Sequence, residues 1–250
     1  MINFFRKIRQ KLLPENKLSR YLIYAIGEII LVVIGILIAL QVNNLNEQRK
    51  ENDFEVKILT EIRNNLQTDL LEIREDLEIM DDLKRACLDV KNHILHLDEP
   101  SDSLSISAAI LRVTPHFSPI NSGYNLLQTR SVGIIKNDSL RNSITYQYDM
   151  LYPYYKTYEE ERGRFHTLHS EPKLLEYFSM IYDVDQGLSY RGLFFEINKI
   201  DYQRLKNDSK FIKLIDAIAF ENALIQSRGK RVENSILELI QHIDDELKLK

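Results

Sequence analysis

Two histidine pairs stand three residues apart, His93/His96 and His166/His169, with Asp98, Glu99 and Glu171 close by in sequence. On a helix that spacing puts both imidazoles on one face, where they offer two of the three or four ligands that zinc or copper requires. Neither pair has the H-E-x-x-H or C-x-x-C pattern that makes such a signal specific, and the dipole at a helix C-terminus favours histidine without any metal. The expectation is solvent-facing or capping histidines, with no metal and no other cofactor. Six tyrosines, Tyr146, Tyr148, Tyr152, Tyr154, Tyr155 and Tyr158, fall within thirteen residues. Tyrosine brings a large amphipathic contact area at small entropic cost, so Tyr152, Tyr154 and Tyr155 are candidates for a partner surface. Their helical spacing suits a division between core and rim of a bundle, which is the preferred reading. Arg162, Arg164 and Arg191 are exposed basic candidates for an anionic ligand, with no spacing that makes the chemistry specific.

The inventory of nucleophiles is short. There is no G-x-S-x-G, no P-loop and no Rossmann glycine pattern. Cys87 is the only cysteine, so an intramolecular disulfide is excluded while an intermolecular one stays open. Its place on an apolar helix face predicts a buried thiol. Glu159-Glu160-Glu161 and Asp244-Asp245-Glu246 read as solvated helix faces. Nothing points to catalysis, and the expectation is that this is not an enzyme.

The elements that must position these groups begin with an apolar segment. Residues 21–42, YLIYAIGEIILVVIGILIALQV, hold one charge, Glu28, and one amide, Gln41. At about 1.5 Å per residue a helix of this length spans the roughly 30 Å of a hydrocarbon core. No polar stripe exists to meet water, and the apolar stretch is too long, without an A-x-A-like site, for a cleaved signal peptide. An uncleaved transmembrane helix is expected. Arg6, Lys7, Arg9, Lys11, Lys17 and Arg20 precede it, against Arg49, Lys50 and Lys57 over 43–62, which places the N-terminus in the cytoplasm and the acidic remainder outside it. Tyr21 and Tyr24 then sit at the inner headgroup level. Phe4, Phe5, Ile8 and Leu12 fall on one side of a basic arm, 1–20, that reads either as an interfacial amphipathic helix or as a frayed tail that only sets topology. Glu28, Gly35 and Ala39 share a helix face. Gly35-x-x-x-Ala39 is a small-xxx-small pair, so the three form a candidate oligomer or partner face, unless Glu28 simply reaches headgroups.

Beyond the span, residues 43–250 read as one extracytoplasmic helical domain. Glycine (8) and proline (6) are scarce and tryptophan is absent. The net charge of −4 splits into a basic arm and a body of 27 basic and 36 acidic residues, which argues against nucleic-acid binding. A helix over 47–98 has a stripe of Leu59, Ile62, Leu66, Ile73, Met80, Leu83, Cys87, Val90, Ile94 and Leu97, and it can continue directly from the span. Asp69 and Asp76 take two positions of its seam, so the core face is expected to shift toward Leu70 and Leu77. Short helices are predicted over 103–114 and 123–131. Asp138 is the simplest N-cap for a helix over 139–168 that Pro153 should kink or split, and Pro172 suits the first turn of a helix over 172–183. A short strand or an irregular loop is open between 183 and 206, where Gly187 and Gly192 flank LSYR. A final helix, 208–247, has Gly229 as a soft point. The fold class expected is all-α, one N-terminal transmembrane helix continuing into an elongated antiparallel helical bundle.

The run FFRKIRQKLLPENKLSRYLIYAIGEIILVVIGILIALQVNNLNEQRK closely resembles the opening of a family of uncharacterised proteins from Bacteroidota, flavobacteria in particular. Gly123-Tyr124, Leu126-Leu127, Gly133 to Asn137, Leu140-Arg141 and Ile144 resemble a second shared stretch, and the C-terminal Ile-Asp-Asp-Glu-Leu a third. Similarity is close over 4–50 and looser elsewhere; Leu45 stands where the family commonly has Trp, which removes an interfacial anchor. The resemblance implies a single-span protein of a Gram-negative inner membrane with a periplasmic domain, and it brings no activity or catalytic residue. Together these readings predict a non-enzymatic interaction or scaffold module. Its expected partners are the lipid bilayer and a membrane or periplasmic protein or a second copy. The alternative is a ligand-sensing input domain, which would need a membrane partner because the basic arm holds no output domain.

Overall fold

A computed structural model of the protein describes residues 18–130, 132–182 and 193–250. Residues 1–17 of the basic arm, Gly187, Gly192 and Arg191 lie outside the described residues, as does the side chain of Tyr21. The fold is all-α, with 84% helix and 3% strand. The chain divides into two compact units, Met1–Glu55 and Val56–Lys250.

The described part of the first unit is helical and belongs to α1, Leu18–His96. No glycine or proline interrupts this helix after Gly35. Glu28, Gly35 and Ala39 are all exposed, and nothing lies within 4 Å of where a Cβ on Gly35 would stand.

In the second unit the stripe of α1 is buried from Ile58 through Ile94, while Leu97 lies past the helix end and is exposed. The chain then turns back. Helix α2, Asp102–Ile110, is capped by the Ser101 hydroxyl; residues 113–120 run without regular structure; α3 follows, Ser122–Arg130, and then a 3-10 turn, Val132–Ile134. Asn137, not Asp138, caps α4, Asp138–Tyr146, its side chain accepting from the Leu140 N–H.

From α4 the helix runs on to Leu175 with two π turns in it. The first, Gln147–Leu151, leads into α5, Tyr152–Phe165, and the second, His166–Ser170, into α6, Glu171–Leu175. Each π turn ends two residues before a proline, Pro153 and Pro172. Proline has no N–H to give and its ring collides with the carbonyl four residues back, and the wider turn makes room for that ring. Of the two outcomes expected at Pro153, a kink or a split, the split does not occur. The helix predicted over 172–183 ends at Leu175, and Ser179–Tyr182 is instead strand β1, antiparallel to β2, Leu193–Glu196, with Ser179 opposite Glu196.

Helix α7, Lys199–Lys206, and α8, Ser209–Lys248, complete the chain. Asp208 caps α8. Ion pairs Arg63–Asp244, Arg74–Glu233 and Lys91–Asp216 fix α8 antiparallel to α1. Ser235 on Gln147 and Asn137 on Glu246 fix it antiparallel to the helix 138–175. Asp69 meets Tyr152, so that helix and α1 run parallel to each other, and residues 97–137 are the crossover that parallel neighbours need. Gly229 is a point of close packing rather than a soft one, since a Cβ there would stand 3.1 Å from Leu77 Cδ2.

Candidate functional site

The crossover is held to α1 by a row of side-chain acceptors. Asn65, Asp69, Glu72 and Asp76 recur at steps of four, three and four, which lines them along one helix face. Gly123 N–H donates to Asn65 at 2.8 Å, Ile120 N–H to Asp69 at 2.9 Å, Ser118 N–H to Glu72 at 3.0 Å and His116 N–H to Asp76 at 3.2 Å. Phe117 N–H points the other way and donates to Glu159 of α5 at 2.9 Å. Extended backbone aims successive N–H groups to opposite sides, so residues 116–120 are clasped from two helices at once. Pro115 and Pro119 stand where no donor is needed. Asp69 also accepts from the Tyr152 hydroxyl at 2.8 Å. Burial pushes the Asp69 and Asp76 carboxyls up to about 6 and Glu159 up to about 8, while the N–H groups pull each of them back. Asp69 and Asp76 thus stay inside the core, contrary to the expected shift of face; Leu77 is buried and Leu70 half-buried beside them. Glu159 is likewise no solvated residue.

Five of these rings form the floor of the clasp. Tyr124 and Tyr148 stack at 4.7 Å, and Phe117 meets Tyr152 and Tyr155 edge-on at 5.2 and 5.9 Å. Tyr152 and Tyr155 are buried, which takes both out of the predicted partner surface, because their positions continue the apolar stripe of Tyr148. Tyr154 alone of the three is exposed, and it stands in a group the sequence did not assemble. Its hydroxyl lies 3.0 Å from that of Tyr158, Arg228 of α8 packs on both rings at 5.7 and 5.2 Å, and Arg231 donates to the Tyr146 hydroxyl. Beside Tyr146 a groove of about 400 Å³ opens between α4 and α8, lined by Ser139, Ser143, Glu238 and His242 among others.

The histidine pairs do not act as pairs. His93 is buried, and its Nε2 stands 3.0 Å from the Glu99 carbonyl oxygen and its Nδ1 3.4 Å from the Ser101 hydroxyl, so it ties down the end of α1; His96 is exposed. His169 is exposed against Phe165, while His166 is buried. Among the described residues no group of three or more His, Cys, Asp or Glu is placed to hold a metal ion. Cys87 is buried, and burial pushes its thiol up to about 12. Arg162 is not the exposed candidate the sequence suggested: it is 1% exposed.

In the first unit, the most apolar window of α1 has a mean hydropathy of 2.7, and none of that window is buried. It is long and apolar enough to cross a membrane. The model of a family of unknown function, DUF6090, matches residues 28–223, taking in part of this apolar segment, the clasp and the whole helix 138–175. No curated protein and no solved structure matches the chain.

Proposed function

The chain belongs to the family of unknown function DUF6090, and from that premise we propose that it is a membrane-anchored helical module whose folded unit binds another protein. The observation that carries the binding half is the group Tyr146, Tyr154, Tyr158, Arg228 and Arg231. Tyrosine and arginine are the side chains that concentrate binding energy at protein interfaces, and here rings and guanidinium groups already order one another before any partner arrives. The anchoring half is supported by 22–42, where residues such as Ile23, Leu31 and Val42 are more than 60% exposed. Apolar area costs about 25 cal/mol per Å² in water, and lipid relieves that cost. The charge difference across the span supports an N-terminus in the cytoplasm and a folded unit in the periplasm, with the inner membrane as the site.

A photo-crosslinking residue at Tyr154 of the full-length chain in living cells tests the reading. The expected result is one discrete adduct, lost when Arg228 and Tyr158 are both changed to alanine and not formed from a crosslinker at exposed Thr68 of α1. An adduct at twice the mass of the chain identifies the partner as a second copy. The absence of any adduct at Tyr154 and at Arg231 overturns it. A reporter fused after Lys250 that proves cytosolic overturns the topology.

A further inference from the structure

The buried helix face that begins with Tyr148, Tyr152 and Tyr155 continues through Glu159, Arg162, His166 and Ser170. The acid in this row has its N–H donor. Each of the next three residues has buried polar atoms without a partner. Arg162 is 1% exposed, yet its Nε and Nη1 have no hydrogen-bond partner, and its Nη2 reaches only the Leu111 carbonyl, at 3.5 Å. One turn on, His166 Nδ1 is unpartnered and buried, and after the π turn so is the Ser170 hydroxyl. A guanidinium stays charged at any physiological pH, and an unpaired charge in a protein interior costs several kcal/mol.

Among the described residues no acidic side chain within hydrogen-bond reach neutralises it. The Cys87 thiol nearby is protonated, since burial holds it far above neutral pH. Glu221 of α8 attracts Arg162 only from beyond hydrogen-bond reach. Glu171 is bonded to Arg112 at 2.8 Å and lies 3.8 Å from the other nitrogen of His166. What remains are two guanidinium N–H positions and a hydroxyl that can donate, beside an imidazole nitrogen whose proton depends on the tautomer. Donors without acceptors, gathered about one buried cation, fit an anion. The π turn that carries His166 and Ser170 is the kind of local irregularity found at functional sites.

We propose that Arg162, with His166 and Ser170 on the following turns, holds one compact anion inside the bundle, a halide or a small oxyanion or carboxylate. The near-complete burial of Arg162 limits the ligand to a few heavy atoms, because anything larger would have to separate α1, α5 and α8. This site is independent of the exposed Tyr–Arg surface, and it gives the ligand-sensing reading a concrete ligand class.

The test is thermal unfolding of the full-length chain in non-ionic detergent, titrating chloride, acetate or phosphate at an ionic strength held constant with a bulky sulfonate. The expected result is a saturable rise in Tm with at least one compact anion and none with the sulfonate; which anion acts separates halide from carboxylate from phosphate. Arg162→Met should fold, with its Tm in sulfonate no lower than that of the unaltered protein, and should lose the anion response. His166→Gln and Ser170→Ala each keep the guanidinium and should weaken the apparent affinity, about tenfold for one lost hydrogen bond. If no compact anion raises Tm above the sulfonate baseline, the proposal fails. It fails equally if Arg162→Met responds as the unaltered chain does. Should Arg162→Met not fold, unchanged affinities in the His166 and Ser170 variants overturn it and weakened ones support it.

Discussion

Two buried polar regions on the same pair of helices, α1 and α5, answer the problem of burial in opposite ways. Around residues 116–120 each buried acid faces a backbone N–H or a phenol, and the extended chain finds in carboxylates the partners that a neighbouring strand would supply in a sheet. Beyond Glu159, at the end of α5 and in the π turn that follows it, Arg162, His166 and Ser170 carry buried polar atoms that meet no partner. In the first region the main-chain donors of the crossover all meet acceptors, although Asp76 Oδ2 and the Tyr148 and Tyr155 hydroxyls have no hydrogen-bond partner, and it reads as structure. The second is open and reads as a place where something is missing. Polar burial by itself thus says little about function; whether the polar atoms are satisfied within the chain says much more.

The sharpest way to break that contrast is to remove an acceptor from the closed region. Asp69→Leu strips the acceptor from the Ile120 N–H and from the Tyr152 hydroxyl together. Each orphaned buried donor costs about 1–3 kcal/mol, so a loss of about 2–5 kcal/mol is expected, or roughly 5–15 °C in Tm for a body of this size. Asp69→Asn retains a carbonyl oxygen for Ile120 and should lose much less. Urea unfolding of the full-length chain in detergent reads both. A loss under about 1 kcal/mol for Asp69→Leu would mean that the crossover does not depend on its acceptors.

A second expected effect is smaller and concerns how closely the crossover approaches α1. A Cβ on Gly123 would stand 2.8 Å from the Ile62 backbone nitrogen, which cannot move aside as a side chain can. Gly123→Ala should therefore push α3 off the helix, lengthen the Gly123–Asn65 bond and cost about 1–3 kcal/mol. Gly229→Ala is the control. Its nearest neighbour is the far end of Leu77 at 3.1 Å, and the gain of about 1 kcal/mol from replacing glycine within a helix offsets that contact. Equal losses at the two positions would show that backbone proximity is not what matters at Gly123.

Spacing in the sequence was a better guide than residue type. The stripes of α1 and α8 follow their apolar periodicity, and the all-α class with one long apolar helix at the N-terminus follows from scarce glycine and proline. The row Tyr148, Tyr152, Tyr155, Glu159, Arg162, His166 keeps the same three-four rhythm, yet Glu159 and Arg162 read as surface because charged residues usually are. Asn65, Asp69, Glu72 and Asp76 carried a legible spacing too, but their partners are main-chain groups forty or more residues away in the chain, which leave no mark in side-chain composition. Arg228 and Arg231 join Tyr154 through tertiary packing alone. Pro172 stands in the first turn of a helical segment as its residue type suggested, but a π turn precedes each proline and carries the helix past both of them without a break.

The smallest expected effect is the dependence of stability on pH, and it sets the two regions against each other. Asp69 and Asp76 at about 6 and Glu159 at about 8 bind protons more tightly folded than unfolded, where such carboxyls titrate near 4. Their contribution is full below about pH 4 and is lost as pH rises through about 6 and then about 8. His166 acts with the opposite sign: burial, then the nearby Arg162 charge, holds its pKa down, so its contribution is lost as pH falls below the ordinary histidine value. Three raised carboxyls outweigh one depressed imidazole, and the lowered carboxyl of Asp208, at about 2, is unaffected above pH 4. Tm of the full-length chain in detergent should therefore be higher at pH 5 than at pH 8.5, by a few degrees at about 2–4 °C per kcal/mol. Asp69→Asn combined with Glu159→Gln should flatten that slope, leaving Asp76 alone to oppose His166. A chain more stable at pH 8.5 than at pH 5 would mean that the clasp acids are solvated and ionised as surface groups are, and the distinction between a closed and an open interior would lose its first half.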